Sequence, residues 1–134
     1  MKVLQIFQAE DNPGDVMIVR EALNRHGFRY QLAVAQDGEQ ALHYVDRVGK
    51  DTPCPDLLLI DLNLPKASGH EVLEAFRRSD CQKIPAIIVS SSDAPSDRQR
   101  AMASGANRYF LKPLDWDEFM QLGAVVKDVL GSQY

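Results

Sequence analysis

Short apolar runs alternate with longer amphipathic stretches along the whole chain. Five of the short runs read as strands, at residues 3–9, 31–35, 57–60, 86–89 and 109–111. Two of them, LLLI and AIIV, are apolar without a break, the pattern of strands covered on both faces. Helix signals lie between the strands. Asp15 is placed to cap a helix through Val16, Val19, Ala22 and Leu23 that ends near His26-Gly27, and Asp37-Gly38 opens EQALHYV. Ser68 with Glu71 has the spacing of a capping box ahead of Val72, Leu73 and Phe76. Ser96 or Asp97 begins a helix that closes at Gly105, and Asp115 with Glu118 repeats the box before the last helix. Five strands alternating with five helices predict an α/β fold with a doubly wound parallel sheet. In such sheets ligands bind beyond the carboxyl ends of the strands.

Composition narrows the function without choosing it. A chain of 134 residues, 45% hydrophobic and 25% charged, suits one domain with a core of its own. A net charge of −4 argues against nucleic acid or an anionic membrane as the main partner. The apolar run in MKVLQIFQAED is too short for a signal peptide or a span. Cys54 and Cys81 fit no metal or redox spacing and read as reduced thiols, which points to the cytoplasm. No repeat, low-complexity tract or linker divides the chain.

The residues that follow the strands carry the chemistry. Glu10 and Asp11 follow the first strand, Asp61 the third, Ser90 the fourth and Lys112 the fifth. The predicted fold gathers these three carboxylates, the hydroxyl and the ammonium at one edge. Three negative charges against one positive repel unless a cation joins them. Oxygen ligands of this kind suit Mg²⁺, which takes few protein oxygens and keeps several waters. Singly, Asp11 is an ordinary turn residue, Ser90 an ordinary partner for a strand-end amide, and Lys112 an ordinary surface charge. Asp61, directly after LLLI, is the exception. Jointly, the five occupy equivalent ends of four strands, which coincidence explains poorly.

With these residues in place the sequence resembles a response-regulator receiver domain of two-component signalling, from VLQIFQAEDNPGD to the last helix. The resemblance implies a flavodoxin-like strand order, 2-1-3-4-5, in a single receiver domain over residues 1–134, with no output domain after VKDVL. It implies that Asp61 accepts a phosphoryl group from a histidine kinase. Glu10, Asp11 and Asp61 would hold Mg²⁺, with the backbone carbonyl of Asn63 completing the protein ligands. Ser90 matches the switch hydroxyl that binds the phosphoryl group, Lys112 the lysine that pairs with it, and Tyr109 the aromatic that swings inward. Lys112-Pro113 matches a bond that is typically cis. The chemistry is coherent on its own terms, since a carboxylate can attack phosphorus to give an aspartyl phosphate, helped by charge neutralisation. Such a protein takes and loses the phosphoryl group itself but acts mainly in signalling.

The wording AEDNPGD and DLNLP, with the loop VGKDTPCP, most resembles receivers paired with bacteriophytochromes. The partners implied are that kinase, a histidine phosphotransfer protein and a second copy of the chain. On the last helix Phe119, Gly123, Val126 and Leu130 form a core stripe. Leu122, Val125 and Val129 form a second, flanked by Trp116 and Met120, an arc wide enough to predict a homodimer through helix four, strand five and helix five. Some positions depart from the pattern. Ser68 stands where many receivers have Asp, Gln8 where aliphatic residues are usual, and Leu62 where some carry an aromatic. His26, His43 and His70 lack metal-ligand spacing and read as surface or boundary residues.

Three other readings share parts of this pattern. A flavin binder would have the fold, but its phosphate loop should not begin with two carboxylates. A phosphatase with an aspartate nucleophile wants D-x-D, where this chain has Asn63. A receiver that is never phosphorylated and serves only as a docking module is separated from the first reading by chemistry alone.

Overall fold

The computed structural model describes residues 2–131. Five parallel strands, β1 (Leu4–Ala9), β2 (Tyr30–Ala35), β3 (Leu57–Ile60), β4 (Ala86–Ser90) and β5 (Arg108–Leu111), lie in the order β2-β1-β3-β4-β5. Helices α1 (Pro13–Arg25), α2 (Gly38–Arg47), α3 (Gly69–Arg77) and α4 (Pro95–Ala103) connect them, and two segments, α5 (Trp116–Phe119) and α6 (Leu122–Leu130), make up the last helix. The predicted architecture and strand order are both present, and the predicted strand bounds hold to within a residue.

Alternation along the central strands divides the core. Leu58 and Ile60 face one side of the sheet and pack with Phe7, Ile88, Val45, Val72 and Phe76. Leu57 and Leu59 face the other and pack with Ile6, Ile87, Val19, Leu23, Phe119 and Val126. Every residue of β3 and β4 is buried, which is why those runs are apolar throughout. Gln8 shares this burial, and its Oε1 has no hydrogen-bond partner among the described residues.

The helix starts follow the sequence with two corrections. Asp37 caps α2, and Ser68 with Glu71 forms the predicted capping box on α3. The cap of α1 is Asn12, whose side chain accepts from the Gly14 and Asp15 amides, while Pro13 takes the first helical position. Asp15 is thereby free for another task. α4 begins at Pro95, with Ala94 in the cap position and no side-chain cap, and of its nine residues only Ala101 is buried. Polar contacts hold it instead, among them the Arg100–Glu74 ion pair at 3.1 Å.

The final helix tightens between Met120 and Gln121. Amides of Gln121, Gly123 and Ala124 donate to carbonyls three residues back, so one turn is 3₁₀-like. That turn rotates Met120 and Leu122 into the core. The broad exposed apolar arc expected on this helix is therefore narrower, with Val125 and Val129 partly buried against the same core. The exposed large apolar side chains of this region are Leu111, Leu114 and Trp116. Gly123 lies against α1, where a Cβ would collide with the His26 ring.

Cys54 and Cys81 are joined in a disulfide, with Cα atoms 5.7 Å apart. This corrects the reading of two reduced thiols and removes that argument for the cytoplasm. The two cysteines are 27 residues apart in sequence. They meet because the loop after α2 turns back at Gly49 (φ +77) and packs on Asp80 beside Cys81. The Lys112–Pro113 bond, expected to be cis, is trans, as are all peptide bonds among the described residues. The small energy gap before proline allows either form.

Candidate functional site

The register of the sheet sets the site. Ala9 lies opposite Ile60, Ile60 opposite Ile88, and Ser90 opposite Leu111. Beyond the strands the hydrogen-bond ladder runs on: Asp61 N–H donates to the Ala9 carbonyl (3.0 Å) and Lys112 N–H to the Ser90 carbonyl (2.8 Å). Glu10, Asp61 and Lys112 are thus held level at the carboxyl edge. Gly69 lets α3 approach closely, since a Cβ there would strike the Asp61 carbonyl.

Glu10 and Asp61 are buried and Asp11 is exposed. One oxygen from each of the three carboxylates lies within 4.8 Å of the others, a donor set that fits a hard cation such as Mg²⁺. The Lys112 ammonium donates to Glu10 Oε1 (2.8 Å), Asp15 Oδ2 (2.8 Å) and Asp61 Oδ2 (3.1 Å). Asn12 N–H donates to Glu10 Oε2 and Asn63 N–H to Asp61 Oδ1. Asn63 itself is exposed beside the acids. Asp15 is the member that sequence reasoning missed, because assigning it as a helix cap already accounted for its charge. A fourth acid in the first turn after the Glu10-Asp11 pair was the available signal.

Charge and burial compete here. Burial pushes the Glu10 carboxyl up and the Asp61 charge adds to this, while Lys112 and the Asn12 amide pull it down, leaving it at about 7. Burial alone would lower Lys112, but hydrogen bonds to Asp15 and Glu10 and the charges of Asp61 and Glu10 outweigh it and hold the ammonium protonated. One ammonium among four carboxylates leaves the cluster short of positive charge, which a divalent cation would supply.

Ser90 is fully buried at the end of β4, and its Oγ accepts from the Ser92 amide (3.1 Å). Tyr109, half-buried, donates its hydroxyl to the Ser92 carbonyl (2.7 Å), and the Arg98 guanidinium lies 4.4 Å from its ring centre. Ser92 therefore bonds to both switch candidates. His70 is buried, which corrects its reading as a surface or boundary residue, whereas His43 is exposed and His26 half-buried.

A cleft of about 310 Å³ lies at the opposite edge, lined by Ile6, Leu32, Tyr44, Thr52 and Cys54 among others. It has no charged lining residue.

Comparison with known proteins places this geometry. The chain is 33% identical over 125 residues to the probable methanogenesis regulatory protein FilR2 of Methanothrix harundinacea, covering 92% of this chain and 81% of FilR2. Over 110 residues it is 31% identical to the response regulator Rcp1 of Synechocystis sp., covering 80% of this chain and 75% of Rcp1. The Mn²⁺-bound structure of Rcp1 superposes with a TM-score of 0.85 at 25% identity, over 98% of this chain and 96% of that one. The phosphorylated cyanobacterial phytochrome response regulator RcpA superposes with a TM-score of 0.88 at 28% identity, over 99% and 98%. Other relatives are longer, and the chain spans 42% of one mycobacterial transcriptional regulator. Residues 6–123 match the model of the response regulator receiver domain, and the chain belongs to that family.

Proposed function

We propose that the chain is a phosphoacceptor response regulator whose acceptor is Asp61. One observation carries the reading. The buried Asp61 carboxylate shares the Lys112 ammonium with Glu10, inside a set of acid oxygens within 4.8 Å of one another. The donor is a phosphohistidine of a histidine kinase. An Asp61 oxygen attacks phosphorus, the phosphorus–nitrogen bond breaks, and the histidine nitrogen leaves with its electron pair. Mg²⁺, when bound by Glu10, Asp11, Asp61 and the Asn63 carbonyl, neutralises charge on the phosphoryl oxygens. The Lys112 ammonium turns from the Asp61 oxygen to donate to a phosphoryl oxygen, and the Ser90 hydroxyl donates to another. Turning that hydroxyl breaks its bond with the Ser92 amide and vacates the space that Tyr109 enters. The α4–β5–α5 face is biased in consequence.

The match to the phytochrome response regulator RcpA supports a phytochrome-linked kinase as donor. We place the pair in the cytoplasm. A histidine phosphotransfer protein is a further acceptor of the group. Exposed Leu111, Leu114 and Trp116 suit a homodimer through the α4–β5–α5 face. The test is incubation with Mg²⁺ and acetyl phosphate, read by mass spectrometry. Gain of one phosphoryl mass supports the reading, and an unchanged mass at saturating donor leaves a docking module.

A further inference from the structure

Ser92 sits at a junction. Its amide donates to Ser90 Oγ (3.1 Å), its carbonyl accepts from Tyr109 (2.7 Å), and its hydroxyl donates to Asp97 Oδ2 (2.5 Å). The first two contacts belong to the switch proposed above. The third leads away from it. Asp97 is the third residue of α4, where an acid ordinarily serves the amides of its own helix. Here its second oxygen meets His70 Nε2 at 3.0 Å. His70 is 5% exposed, near the start of α3.

The partner fixes the ring. A carboxylate only accepts, so Nε2 carries the proton and donates. Nδ1 is buried, and it has no partner among the described residues. The ring forgoes one hydrogen bond to make the other, an arrangement that buried polar groups normally avoid. The bond it makes is charge-assisted and joins α3 to α4. Both the Ser92 hydroxyl and His70 hold the Asp97 carboxyl below the usual range.

We infer that His70 and Asp97 are positioning residues that latch Ser92, and through it hold Ser90 and Tyr109, in the arrangement described above. Weakening the latch therefore shifts the balance between the two switch states. This inference rests on the switch reading of Ser90 and Tyr109, and the test separates the two.

The first arm uses NMR on protein without Mg²⁺ or any phosphoryl mimic. His70→Leu and Asp97→Ala are expected to move the Tyr109 ring resonances and to speed exchange of the Ser92 amide roughly fivefold. His70→Gln keeps an N–H donor and should restore wild-type values. Ser92→Ala, on a loop, reproduces the Tyr109 change if the buried variant folds poorly. A lower melting temperature in His70→Leu with Tyr109 unmoved in all of these variants overturns the latch and leaves a packing role. The second arm titrates fluoroberyllate in Mg²⁺, where the affinity of His70→Leu should differ roughly three- to tenfold from wild type. Equal binding overturns the latch. A wild type that binds no fluoroberyllate overturns the phosphoacceptor reading, and the first arm still decides the latch.

Discussion

The ammonium of Lys112 lies 2.8 Å from the Asp15 carboxylate, as near as it lies to Glu10 and nearer than to Asp61 at 3.1 Å. Asp15 therefore competes for the cation that the acceptor needs. Removing its charge in Asp15→Asn releases Lys112 toward a phosphoryl group. Fluoroberyllate affinity in Mg²⁺ should rise roughly two- to fivefold, the worth of a partly exposed ion pair. Tryptophan fluorescence of Trp116 is one readout, and affinity equal to or below wild type refutes the competition.

Asp61→Asn should abolish the gain of phosphoryl mass from acetyl phosphate and weaken Mg²⁺ binding, since one of three facing carboxylates is lost. The fold should survive, because Asn preserves the shape and an acceptor for the Asn63 amide. Persistent labelling of this variant assigns the acceptor elsewhere.

Glu10 makes stability depend on pH in a stated direction. Its carboxyl is raised from 4.5 to about 7, so the folded chain binds that proton more tightly than the unfolded chain. The cost of its charge is absent below the ordinary value, grows as pH rises, and is complete above the raised value. In chelator at pH 8, Glu10→Gln should stabilise the protein by on the order of 2 kcal/mol, with little effect near pH 4.5. Urea denaturation at both pH values measures this, and a destabilised variant at pH 8 shows that attraction to Lys112 outweighs burial.

The Cys54–Cys81 bridge closes a loop across 27 residues. Constraining the unfolded chain this way is worth about 3–4 kcal/mol. Cys54→Ser should lose roughly that stability, and a reducing agent should do the same to wild type and nothing further to the variant. Phosphoryl acceptance at the far edge should be unchanged. Wild type and variant of equal stability would mean that the bridge is not formed.

Much of the fold was legible because β3 and β4 are buried on both faces and flanked by clear caps at Asp37 and Ser68. Glu10, Asp11, Asp61, Ser90 and Lys112 were legible as one group because each follows a strand end. What escaped depends on contacts between distant residues. Asn12 and Asp15 are both good caps, and only Pro13 at the first helical position decides between them. The tightened turn at Met120–Gln121 has no proline to mark it, and Gly123 reads as a member of the core stripe. The burial of His70 depends on α4 lying against α3, and the cysteine pair on two loops meeting at the amino edge. Gln8 remains without a partner for its oxygen, and nothing in the packing explains why it is polar.

The sparse anchoring of α4 has a consequence for how the molecule responds to its medium. With Ala101 alone buried, the helix is held mainly by Arg100–Glu74, Asp97–His70 and the Arg98 stack on Tyr109. Such attachments weaken with ionic strength, whereas the apolar faces of the sheet do not. The electrolyte thus tunes one cooperative unit of the fold separately from the rest. Its opening is cheapest where the proposed signal leaves the protein, and salt becomes a second input to that surface.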